Sequence, residues 1–226
     1  MDYTIRENSF GKYLTVFSHE FKPAIQFAFE NKLEAIRICG VLGEENLNSI
    51  ADFKEIEKLA SYLKTLQFDC VVNNKILNFE SVYTLNKIEN ILINTKQKFL
   101  IDVAMFKNLK HLGAEYWKGL INIDKIETIE SMVIRKYPKE NINELLKLKK
   151  LKILHIYSSK IKSLEGIEKI SNLEEITLAY NRNLENIDDI KKLKLLKKLC
   201  IDKCNNIKEY EFIHKLENMK NVYHRK

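Results

Sequence analysis

Apolar residues along the second half of the chain return in a fixed order, with polar residues filling the gaps. Leu173-Glu174-Glu175-Ile176-Thr177-Leu178-Ala179-Tyr180-Asn181 spells L-x-x-L-x-L-x-x-N. The same spacing recurs at Leu151 to Ser159 and at Leu196 to Cys204, where Ser159 and Cys204 take the Asn position. The alternating centre of each motif predicts a short strand. Its side chains point to opposite faces, so Leu154 and Ile156 turn inward while Ile153, His155 and Tyr157 turn outward. Between motifs, Ile161, Leu164, Ile167, Ile170 and Leu173 recur every third residue, the period of 3₁₀ turns. Ile187, Ile190, Leu193 and Leu196 repeat that pattern.

Carried backward, the register places the first inward residue of successive strands at Met132, Leu112, Ile91, Leu66 and Ile36. Carried forward, it reaches Val222. From Ile91 onward the spacing is about 20 to 23 residues. An isolated repeat of this size should not fold. Its roughly six or seven apolar side chains contribute about 1.5 to 3 kcal/mol each on full burial, whereas ordering the backbone costs on the order of 1 to 2 kcal/mol per residue. Stacking changes the balance, because each inward Leu or Ile gains neighbours on both sides and the strands share backbone hydrogen bonds.

On these motifs the chain resembles the leucine-rich repeat superfamily, in its short class of about 22 residues found in phosphatase-regulator and internalin-type repeats. The resemblance covers Ile91 to Val222 most closely and extends to Leu33. It implies an α/β solenoid with a parallel, concave β-sheet and short 3₁₀ or α segments on the convex side. It also implies a protein partner bound across the concave face.

The N-terminus follows another pattern. Tyr3-Thr4-Ile5 and Tyr13 to Phe17 flank a turn-prone stretch from Glu7 to Lys12, which reads as a hairpin. Ser18 then reads as the cap of a helix from about Phe21 to Asn31, with Pro23 in its first turn. Asp52 reads as the N-cap of a second amphipathic helix carrying Phe53, Ile56, Leu59, Ala60 and Leu63. The expected organisation is a cap over residues 1–32 and one continuous repeat domain over 33–226. No comparable cap is read at the other end, so the last strand is a candidate edge for self-association.

Composition narrows the function classes. The 226 residues carry a net charge of +7, which raises nucleic acid as a partner. The lysines, however, fall in pairs such as Lys149-Lys150 and Lys197-Lys198 among acids such as Glu174-Glu175 and Asp188-Asp189. That placement favours a solvated mixed surface over a nucleic-acid site. Neither a basic, apolar leader nor a membrane span is read, so the expected compartment is the cytoplasm. The richness in Lys, Ile and Asn suggests an AT-rich bacterial genome. Four cysteines, Cys39, Cys70, Cys200 and Cys204, form no C-x-x-C pair and read as reduced thiols. The four-residue separation of Cys200 and Cys204 does not favour a metal site, and neither a metal nor a cofactor is expected.

Strand alternation predicts the outward surface residue by residue. Early repeats present Arg37, Gln67, Asp69 and Leu92, and the last presents Tyr223. The candidate protein-binding strip is His111, Glu115, Val133, Arg135, His155, Tyr157, Glu175, Thr177, Lys198 and Asp202. Its aromatic, arginine and ionisable groups are types enriched in binding hot spots. Trp117 and Tyr137 fall at the Asn position and read as packing groups at the sheet edge. His111 and His155 lie two repeats apart, roughly 10 Å at ordinary strand spacing, too far for direct cooperation. No G-x-S-x-G, H-E-x-x-H or phosphate-binding glycine loop is found, and an enzyme is not expected. The reading is a non-catalytic protein-binding module, with an intracellular inhibitor or immunity protein as its specific form.

Overall fold

A computed structural model describes residues 3–215 and 221–225. The chain divides into two compact units: Met1–Leu109 with Trp117–Ile121, and Lys110–Tyr116 with Asn122–Lys226.

The first unit begins with an antiparallel hairpin of β1 (Ile5–Asn8) and β2 (Gly11–Phe17), paired from Ile5 with Leu14 to Asn8 with Gly11. The Asn8 side chain accepts a hydrogen bond from the Phe10 N–H at 2.8 Å, which tightens the turn. Helix α1 (Phe21–Glu30) follows, with Pro23 in its first turn. Phe21, Ala24, Ile25 and Ala28, on one helical face, are buried. Ser18 is not the cap expected of it: it lies in a 3₁₀ turn, Ser18–Glu20, and Glu20 takes the cap position without a side-chain bond. The buried Ser18 hydroxyl has no protein partner.

Three strands run parallel to β2: β3 (Ala35–Cys39), β4 (Thr65–Phe68) and β5 (Asn90–Ile93). Leu14, Ile36, Leu66 and Ile91 stand in one register and are buried, as are Val16, Ile38, Phe68 and Ile93. Opposite the sheet, Ile50–Asp52 pairs in parallel with Lys75–Leu77, and Ile101–Asp102 with Leu120–Ile121. Asp52 does cap the following segment, accepting a hydrogen bond from Lys54 N–H at 3.0 Å. That segment, Phe53–Leu59, is 3₁₀ rather than α. Its buried residues explain why: Phe53, Ile56 and Leu59 are three apart, so a helix of three residues per turn aligns them on the core. Phe53 stacks on Phe21 at 4.6 Å between ring centroids and lies 5.2 Å from Phe79, which is 4.2 Å from Phe99.

The second unit holds β6 (His111–Glu115), β7 (Ser131–Arg135), β8 (Ile153–Tyr157), β9 (Glu175–Ala179), β10 (Lys198–Asp202) and β11 (Asn221–Arg225). All neighbours are parallel, and Leu112, Met132, Leu154, Ile176, Leu199 and Val222 share one register. Short 3₁₀ segments at Leu145–Lys147, Ile167–Lys169 and Asp188–Lys192 return the chain between strands. After β7, β8, β9 and β10 the next residue, Lys136, Ser158, Tyr180 and Lys203, has a left-handed backbone. This turn directs the following Asn-position residue inward: Tyr137, Ser159, Asn181 and Cys204 are all buried.

Asn181 shows what that position does. Its side-chain carbonyl accepts hydrogen bonds from Ser159 N–H at 2.9 Å and Ser159 O–H at 2.6 Å, while its amide donates to Ile156 C=O at 2.9 Å. The side chain thereby ties the turn after β9 to the end of β8 and the turn that follows it. At the equivalent place Tyr137 is fully buried, donates to Glu144 Oε2 at 3.2 Å and meets Tyr116 edge-on at 5.8 Å. Burial, followed by the facing Glu144 carboxylate, holds the Tyr137 hydroxyl well above its ordinary range. In the first unit Trp117 donates its indole N–H to Phe99 C=O at 3.1 Å. Both aromatics act in packing.

Candidate functional site

Parallel register converts the outward residues of the second unit into columns. One column contains His111, Ser131, Ile153, Glu175 and Lys198; the middle contains Gly113, Val133, His155, Thr177, Cys200 and Tyr223. The third contains Glu115, Arg135, Tyr157, Ala179, Asp202 and Arg225. Every predicted strip residue lies on this open face of the sheet, since the residues between them are the buried ones.

Several of these side chains are held by neighbours. His155 Nε2 lies 2.9 Å from Glu175 Oε1, and the Lys198 ammonium donates to Glu175 Oε2 at 3.0 Å. Partial burial alone would raise the Glu175 pKa, but the bonds from Lys198 and His155 outweigh it and the carboxyl sits below its usual range. The His155 ring meets the Tyr157 ring edge-on at 6.2 Å. Burial raises the Tyr157 hydroxyl, assisted by Cys200 and Glu175 and opposed by Arg135. Asp202 receives Arg225 Nε at 2.9 Å, and Glu115 receives Lys136 Nζ at 3.0 Å. His111 and His155 stand in different columns and strands, so the face does not bring the two imidazoles together.

A second arrangement lies just before the strands. In the first unit Glu34, Lys64 and Glu89 occupy this position, and in the second Lys110, Glu130, Lys152, Glu174 and Lys197. Among these described residues the signs alternate from strand to strand. Lys64 lies 2.9 Å from Glu34, Lys152 lies 2.8 Å from Glu130, and Lys197 lies 2.5 Å from Glu174. Lys147 with Asp124, Lys162 with Glu140 and Lys208 with Glu185 add further pairs between repeats. Many of the lysines are therefore paired with acids on neighbouring repeats, and the net positive charge is spread rather than gathered in one patch.

A concavity also lies in the first unit. It measures about 600 Å³ and is lined in part by Tyr3, Arg37, Cys39, Asp69, Cys70 and Asn73. Arg37 Nη2 lies 2.5 Å from Asp69 Oδ2, Arg37 Nη1 donates to Tyr13 O–H at 3.2 Å, and its buried Nε has no protein partner. The Cys39 and Cys70 sulfurs and an Asp69 oxygen lie within 4.8 Å of one another. All four cysteines are free thiols. Burial, then the facing Cys70, pushes the Cys39 thiol up to about 11. Sequence reasoning missed this cluster because the cysteines are 31 positions apart. The signal was nonetheless present in the strand register: Ile38 pairs with Phe68, so Cys39 and Asp69 occupy equivalent places and Cys70 follows. Cys200 and Cys204 separate as expected, Cys200 on the open face and Cys204 buried beneath Leu178 C=O.

No protein-family model and no curated protein sequence matches the chain. Solved structures do. An internalin (inlF) from Listeria monocytogenes has 17% identity and a TM-score of 0.59, covering 84% of this chain and 54% of its own. The chain thus spans about half the length of that internalin. Internalin C2 from the same organism has 16% identity and a TM-score of 0.59, covering 89% and 91%. The leucine-rich repeat domain of the Xanthomonas type III effector XopL has 16% identity and a TM-score of 0.56, covering 93% and 75%. With the in-register strands, the buried Asn181 turn and the 3₁₀ returns, these likenesses give one conclusion: the chain has the leucine-rich repeat fold.

Proposed function

We propose that the chain is a non-catalytic module that binds a protein partner on the concave face of its sheet, through the strip from His111 to Asp202. The observation that supports this most is the ordered set of half-buried groups across β7 to β10. Arg135, His155, Tyr157 and Glu175 present aromatic, cationic and anionic groups on rigid strands, with Glu175 and His155 already fixed by each other. Side chains held in place before binding lose less entropy when a partner arrives. Within this reading, residues 1–32 act as the cap of the repeats.

The specific form proposed is an intracellular inhibitor or immunity protein acting in the cytoplasm. Such a protein needs a rigid recognition face and no catalytic constellation. Both oxygens of Glu175 are occupied by His155 and Lys198, which leaves that histidine and carboxylate as a recognition element rather than an acid–base pair. The alternating lysine and glutamate ladder argues against nucleic acid, because neutralised lysines release few counterions from phosphate. No described helix is long and apolar enough to cross a membrane. Strand β11 closes the order of strands, and a second copy pairing along it is the proposed route of self-association.

Affinity capture from the native host at physiological salt tests the reading. A stoichiometric protein partner, together with undetectable nucleic-acid affinity at low salt, is expected. A preparation free of protein partners that binds nucleic acid at low salt contradicts it.

A further inference from the structure

The cluster at the wall of the first unit's cavity has the chemistry of a cation site. Its three donors come from two adjoining strand ends, Cys39 at the end of β3 and Asp69-Cys70 just beyond β4. Gly40 is what lets these segments meet. A Cβ there would lie 2.3 Å from Val71 C=O and 2.6 Å from Asn73 Oδ1, so only glycine permits the close approach beside Cys39. Asn73 Oδ1 also accepts the Val41 N–H at 3.0 Å, fixing the loop that follows Cys39 to the loop that follows Cys70.

We propose that Cys39, Cys70 and Asp69 bind one thiophilic divalent cation of the zinc class, with a fourth coordination position open to the cavity. Two sulfurs on a tetrahedral ion at about 2.3 Å stand about 3.8 Å apart. Donor atoms already within 4.8 Å of one another need only small rotations to reach that geometry. Two thiolates with a carboxylate suit zinc better than magnesium or calcium, which take oxygen ligands.

Arg37 completes the electrostatics. Two thiolates and one carboxylate exceed the charge of a divalent ion by one, and the Arg37 guanidinium on Asp69 Oδ2 supplies the missing positive charge. Asp69 Oδ1 accepts from Asn94 Nδ2 at 2.5 Å and, at a long 3.4 Å, from Gln67 Nε2; the metal would displace the weak Gln67 bond and take that lone pair. On binding, the Cys39 and Cys70 thiol protons leave to solvent and no electron is transferred. Cys70 is exposed, so the ion has a path from water, while Cys39 is buried at 6% exposure and shields the inner side. The open fourth position separates this arrangement from a closed structural site of four protein ligands. The proposal does not depend on the sheet-face reading, since all of its residues belong to the first unit.

The test is a titration of the reduced full chain with Co²⁺, followed by competition with Zn²⁺. Expected is a sulfur-to-metal charge-transfer band with the visible absorption of a four-coordinate ion, saturating near one ion per chain and bleached by Zn²⁺. Cys70→Ser, at an exposed position, should halve the thiolate band and weaken binding by about tenfold or more, while Cys200→Ser should change neither. Circular dichroism confirms that each variant is folded, so the test stands even where buried Cys39→Ser is not. Absence of a thiolate band in the reduced protein overturns the proposal. So does a band unchanged by Cys70→Ser, or recovery of only a Cys39–Cys70 disulfide with no metal uptake after reduction.

Discussion

His155 Nε2 lies 2.9 Å from Glu175 Oε1 across neighbouring strands of the second unit. The other oxygen of the same carboxylate receives Lys198 at 3.0 Å. Burial pushes the Glu175 pKa up, the two hydrogen bonds push it down further, and the net shift is downward. A carboxyl whose folded pKa is depressed adds stability above its unfolded pKa, and that increment disappears as pH falls through the folded value. The wild type should therefore lose stability in part through this group as pH falls below the ordinary glutamate value of about 4.3. Glu175→Gln should flatten that part of the curve and cost up to about 1 kcal/mol near neutrality, as expected for a partly exposed ion pair. Urea denaturation across this pH range measures both. Identical pH slopes for the two proteins would show that the pair contributes nothing.

Asn181 is fully buried and uses its whole side chain in binding Ser159 and Ile156. Removing it leaves an N–H, a hydroxyl and a carbonyl short of partners inside the protein. Asn181→Ala should destabilise the fold by about 1 to 3 kcal/mol, read as a lower urea midpoint. Loss below a few tenths of a kcal/mol would mean that the turn is held by other contacts.

Lys152 stands between Glu130 and Glu174 in the alternating ladder, with its ammonium 2.8 Å from Glu130 Oε2. Lys152→Glu would set acids next to each other at consecutive repeats. A lower melting temperature is expected at low salt, and the deficit should shrink as added salt screens the repulsion. A deficit independent of ionic strength would assign the effect to packing instead.

The fold was legible because two signals reinforce one another. The strand period of two fixes which side chains face inward, and the repeat length fixes where the next strand begins, so Ile36, Leu66, Met132, Leu154 and Val222 were located from sequence alone. Leu14 was not recognised as a member of the same ladder. Its strand makes the predicted antiparallel hairpin on one side while pairing in parallel with β3 on the other, and local sequence carries only the hairpin signal. Ser18 departs from the cap pattern for a related reason: a serine before a helix satisfies that pattern, but its burial and the intervening 3₁₀ turn are set by tertiary packing. The outward placement of the strip followed directly from alternation. Which of its members touch did not, because the contacts of Glu175 with His155 and Lys198 depend on rotamers. Cys39 and Cys70 meet only through strand register and the missing side chain at Gly40, features that no short motif encodes.

On this reading the open sheet face of β7 to β10 is the binding surface. Its most direct test is quantitative affinity capture from the native host with the wild type, with the face variant Arg135→Glu/Tyr157→Ala, and with the control Lys169→Glu at an exposed site in a 3₁₀ return. One protein partner should copurify with the wild type and the control and be lost from the face variant, all three chains having the same circular dichroism. Equal recovery of that partner by all three chains, or its loss from the control alone, would contradict the assignment.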